Sequence, residues 1–85
     1  MEELDGNGAA GMLSEVFALE VTAAHGRCAG CGNVAALAEA RVFIDAPGLV
    51  VRCRACESVL LVLVRGSDRY WLGARGLSWL ELGSR

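Results

Sequence analysis

The chain has 85 residues, 54% of them hydrophobic and 21% charged, with a formal net charge of −2. That balance excludes a disordered polymer, which is highly charged and poor in apolar residues. The length allows one domain, with a core so small that it calls for a metal, disulfides or a partner chain.

The longest apolar run, VLLVLV at Val59 to Val64, is far short of the ~20 residues that cross a bilayer as a helix. The acidic start, MEELDGNG, lacks the basic-then-apolar order of a secretory signal. A soluble, cytoplasmic protein without membrane contact is expected. In that reducing compartment, four cysteines favour metal or redox chemistry over structural disulfides. The charge is unevenly spread: residues 1–40 set six carboxylates against Arg27 alone, and residues 41–85 set seven arginines against four carboxylates. There is no lysine, so every cation is a guanidinium, as the codon bias of a GC-rich genome produces.

In chain order, Asp5 to Gly8 (DGNG) is turn chemistry, and Asn7 or Asp5 suits the cap of a following helix. Met12, Leu13, Val16 and Phe17 recur at three- and four-residue spacing, which predicts one amphipathic helix over residues 8–18. LEVTAA then leads as a strand into the first cysteine pair. AEARVFID alternates, with Ala38, Ala40, Val42 and Ile44 on one face. Pro47 and Gly48 suit the two central positions of a turn, and LVVRC returns toward the second pair. SVLLVLVR is apolar on both faces, as a covered central strand is. RGSD is a turn, and RYWL and LSWLEL read as two short strands joined by GARG.

The expected fold is α+β but mostly β, a zinc ribbon with an antiparallel sheet and one short N-terminal helix. It forms a single domain over 1–85: an N-terminal turn and helix (1–18), a ribbon with two cysteine knuckles (20–64) and a C-terminal hairpin (68–82).

The strongest chemical signal is Cys28-x2-Cys31, then 21 residues, then Cys53-x2-Cys56. Paired thiolates at this spacing are a zinc pattern. Two residues between ligands let one tight turn aim both sulfurs at a metal about 2.3 Å away. Gly32, just after the second cysteine, permits the positive φ that closes such a turn. In the second pair Glu57 takes that place, so a strained or differently shaped turn is expected there.

Four thiolates leave no open coordination position, which marks a structural Zn²⁺ site. An iron–sulfur cluster takes the same ligands. A thioredoxin-like redox pair would need a single pair near a βαβ unit. Arg52 and Arg54 flank Cys53, where they screen the thiolates or offer contacts to an anion. His25, three residues before Cys28, is a spare ligand at most, because four cysteines suffice.

DGN before the helix, GMLSEVFALEVT, GRCAGCG, APGLVVRC, VLLVLVR and a closing RGL…LEL together resemble a small zinc-ribbon-like family of actinobacterial proteins described as a domain of unknown function. The resemblance spans nearly the whole chain. It implies a zinc-ribbon fold and a metal at the four cysteines. It brings no catalytic residue.

Three functions are weighed. A structural-zinc module acting through protein–protein contacts fits best, with Trp71, Trp79 and Leu80 lining the partner surface, most simply that of a twofold homodimer. The alternative is a nucleic-acid-binding ribbon of the kind associated with transcription or translation. Its arginines and aromatics fit, but a net negative chain disfavours phosphate. An enzyme is not expected, with one histidine, no open metal position and no phosphate loop.

Overall fold

The computed structural model describes residues 2–5, 24–45 and 47–82. Eight strands are assigned there: β1 (Glu2–Asp5), β2 (His25–Cys28), β3 (Val34–Ala36), β4 (Arg41–Asp45), β5 (Gly48–Arg52), β6 (Val59–Arg65), β7 (Tyr70–Gly73) and β8 (Leu77–Glu81). One 3-10 turn, Leu37–Glu39, separates β3 from β4. The expected helix over 8–18, with Val16 and Phe17, and most of LEVTAA lie outside the described residues.

The strands form two sheets. The larger has the order β1-β4-β5-β6-β7 and the smaller β3-β2-β8. Every pairing is antiparallel. The mostly β, antiparallel expectation therefore holds. Strand β1 is an addition: the sequence, with only a turn signal from Asp5 onward, gave no sign that Glu2–Asp5 would pair along β4.

Alternation positions the core. Val42, Leu49, Val51, Leu61 and Leu63 share the inner face of the larger sheet and are almost wholly buried. They form one cluster with Ala24, Cys28, Leu37, Ala40, Cys53 and Leu60, and Ile44, Tyr70, Leu77 and Leu80 pack against it. Ala40, Val42 and Ile44 thus share the face that the alternation of AEARVFID indicates, although the strand itself starts at Arg41. β6 is interior, as its apolar run implies, but its two faces differ. Leu61 and Leu63 are buried, while Val62 and Val64 on the outer face are only half-buried.

The expected C-terminal hairpin over 68–82 is corrected. β7 and β8 do not pair with each other; β7 continues the larger sheet beside β6, and β8 crosses to β2 in the smaller one. The cause is Gly76. Its N–H donates to the Leu60 carbonyl at 3.2 Å, and its carbonyl accepts from the Ala29 N–H at 2.8 Å. A β-carbon on Gly76 would overlap the Val59 carbonyl oxygen. Only glycine brings the chain this close to β6, and the contact turns it away from β7. The turn before β5 is shifted by one residue from the expected position. Asp45 pairs with Gly48, which makes Gly48 a strand residue and not a central turn position.

Candidate metal centre

Each sheet supplies one knuckle. The first follows β2 of the smaller sheet, and the second joins β5 to β6 of the larger. The two turns close in the same way. In the first, Cys28 N–H donates to the Asn33 carbonyl at 2.9 Å and Gly32 N–H to the Cys28 carbonyl at 2.9 Å. In the second, Cys53 N–H donates to Ser58 at 2.8 Å and Glu57 N–H to Cys53 at 2.8 Å.

Gly32 has φ 79° and Glu57 has φ 64°. Of the two expectations for the second knuckle, strain is the one found: its turn has the shape of the first, and Glu57 adopts the left-handed conformation that glycine takes there. A non-glycine residue there costs about 1–2 kcal/mol. Two arginines hold it in place. Arg52 Nη1 donates to the Glu57 carbonyl at 3.0 Å, and Arg41 Nη1 lies 3.2 Å from the Glu57 carboxylate. Arg41 and Arg52 face each other across β4 and β5. Both guanidiniums also sit over the Phe43 ring, 5.7 Å from its centroid. A pair of like charges that would repel is thus stabilised by one carboxylate, one carbonyl and one aromatic face.

The knuckles bring all four cysteines together, with the sulfurs within 4.8 Å of one another. Cys28 and Cys56 are 3.6 Å apart, and Cys31 and Cys53 3.7 Å apart. A tetrahedral metal with sulfurs at 2.3 Å has S···S edges of about 3.8 Å, so the donor set fits such an ion. Cys28 and Cys53 are buried; Cys31 and Cys56 are exposed.

Polar groups meet the sulfurs: a backbone N–H donates to one, and a second thiol donates to a hydroxyl that can turn to donate back once the thiol ionises. Gly30 N–H lies 3.3 Å from Cys28 Sγ, and Ser58 Oγ lies 3.2 Å from Cys56 Sγ. The Ser58 hydroxyl, then the Ser58 amide and the neighbouring sulfurs, lower the Cys56 thiol to about 6. At Cys31 the Asn33 amide pulls down, but desolvation and the three other sulfurs outweigh it and raise the thiol to about 11. The sulfurs share their protons unevenly, and a bound cation would favour the ionised form of all four.

The other sequence candidates separate. Arg52 is engaged by Glu57 and Phe43, whereas Arg54 is exposed and lines an open cleft with His25. Trp71 and Trp79, 56% and 44% exposed, stand on different sheets. Leu80 takes the opposite face of β8 from Trp79 and packs on the core. The structure does not gather Trp71, Trp79 and Leu80 into one surface. Arg27 is the residue that sequence reasoning undervalued. It lies directly opposite Trp79 across β2 and β8, and its guanidinium borders Gly32 of the first knuckle. Period-two alternation would have revealed the pair only with the β2–β8 register known.

The chain is thus a mostly β protein whose two antiparallel sheets meet at a four-cysteine cluster able to hold a metal ion. The chain belongs to a family of unknown function (DUF6510), whose sequence profile matches residues 1–85. No curated protein and no solved structure matches it.

Proposed function

We propose that the chain is a small zinc-stapled binding module that acts through protein–protein contacts. The observation that carries the reading is the sulfur cluster, drawn from both sheets and closed at tetrahedral spacing. A four-thiolate zinc has no position left for a substrate, so its role is to join the sheets. A reducing compartment such as the cytoplasm keeps these thiols available to the metal. No helix among the described residues is long and apolar enough to cross a membrane. The module carries out no catalytic step.

Support for protein contacts comes from the large apolar side chains that stay exposed: Trp71, Trp79, Val34 and Leu72. Exposed aromatics of this kind concentrate at interfaces. A twofold homodimer is the simplest form. A second reading, nucleic-acid binding, is favoured by one observation, the opposition of Arg27 and Trp79 on an exposed sheet face. A guanidinium beside an indole suits a phosphate next to a stacked base.

Light scattering at micromolar concentration and retention on heparin at low salt test the two. The module reading expects a dimer mass, or one chain joined stoichiometrically by a protein partner, with no retention on heparin. A single-chain mass with strong heparin retention contradicts it.

A further inference from the structure

β3 is an edge of the smaller sheet. Its backbone orientation follows from the two bonds that bracket it. Cys28 N–H donates to Asn33 and Leu37 N–H to Ala24, both at 2.9 Å. Hydrogen-bonded pairs alternate along an antiparallel ladder. In the register His25↔Ala36, Gly26↔Ala35, Arg27↔Val34, the bonded pair is therefore Gly26 with Ala35. Val34 turns its N–H and C=O, and Ala36 its N–H, away from β2 toward the open side, while the Ala36 carbonyl accepts within the 3-10 turn that follows. Among the described residues no strand takes them.

The same edge borders a cleft of about 430 Å³, lined by all three residues of β3 with His25, Glu39 and Arg54. Val34 is 51% exposed. Outward backbone groups beside a roomy cleft are what an incoming strand needs: main-chain bonds supply affinity, and side-chain pockets supply selection.

We infer that β3 is a docking edge for an extended peptide segment of a partner protein. The segment adds as a fourth strand on Val34 and Ala36 and sets an acidic side chain against Arg54. This inference rests on the protein-binding reading above and names its surface and the chemistry of its partner.

The test selects random twelve-residue peptides, displayed on phage, against the immobilised zinc-loaded chain. Survivors are then measured on Ala36→Pro and Arg54→Glu. Ala36 has φ −67° and ψ 144°, which matches the fixed φ of proline. The substitution removes one outward N–H and no bond to β2, and zinc content and melting midpoint serve as controls. The expected survivors are enriched in Asp and Glu and bind each variant at least tenfold more weakly. The amides of Val34 and Ala36 exchange more slowly in the bound parent chain, a readout independent of either variant.

Survivors that bind Ala36→Pro as tightly as the parent, or leave those two amides unprotected, overturn the edge and leave the protein-binding reading standing. Survivors without acidic enrichment, or indifferent to Arg54→Glu, overturn the partner chemistry. An absence of survivors overturns the proposal, and retention of a single-stranded oligonucleotide in the same preparation removes the protein-binding reading with it.

Discussion

Glu57 offers a test of the second knuckle in which two substitutions predict opposite signs. Its φ of 64° carries about 1–2 kcal/mol of strain. Against this stands the ion pair with Arg41 at 3.2 Å, whose side chains are 34% and 64% exposed, worth about 0–1 kcal/mol in solvent. Arg52 bonds the carbonyl of Glu57, which any residue keeps. Glu57→Ala therefore retains the strain and loses the ion pair, and stability falls by about 0.5 kcal/mol. Glu57→Gly loses the same pair but removes the strain. It should stand about 1 kcal/mol above the alanine variant, once the greater freedom of glycine in the unfolded chain is deducted. Denaturant unfolding at fixed free zinc measures both, since bound metal otherwise shifts the midpoint. An alanine variant as stable as the glycine variant would refute the equivalence of the two knuckles.

Gly76→Ala forces a methyl onto the Val59 carbonyl. It should lift the link before β8 off β6 and reduce soluble, zinc-loaded protein to a small fraction of the parent yield. Leu63→Ala empties a site with no exposure and should lower stability by about 3–5 kcal/mol in denaturant. Ser58→Ala removes the leading cause of the lowered Cys56 thiol. A thiol lowered to about 6 contributes stability above its unfolded value and loses it as pH falls through 6. Without the hydroxyl the Cys56 thiol of the metal-free chain should titrate nearer the ordinary thiol range, a rise read from its ultraviolet thiolate absorbance, and the loss is then complete at higher pH.

Local signals were legible in the sequence where chemistry is local. The cysteine spacing named all four members of the cluster, and Gly32 marked the positive φ of the first turn. Period-two alternation placed Ala40, Val42 and Ile44 on the core side, and the apolar run of β6 indicated an interior strand. What escaped depends on pairing between distant segments. GARG reads as a hairpin link, because no local rule says that Gly76 will lie against β6 instead. Glu57 violates the propensity for its turn, and the two arginines that compensate, Arg41 and Arg52, are recognisable only once β4 lies beside β5. Trp71, Trp79 and Leu80 look alike in sequence; sheet membership and strand parity separate them. Val34 and Ala36 acquire interest only from the hydrogen-bond phase of β2.

Zinc held by the four sulfurs is proposed to join the two sheets. X-ray absorption at the zinc edge, on protein purified without added metal, reads the coordination itself. One zinc per chain, surrounded by four sulfurs at about 2.3 Å, is the expected result. A shell containing nitrogen or oxygen, or a preparation whose metal is iron, would contradict it.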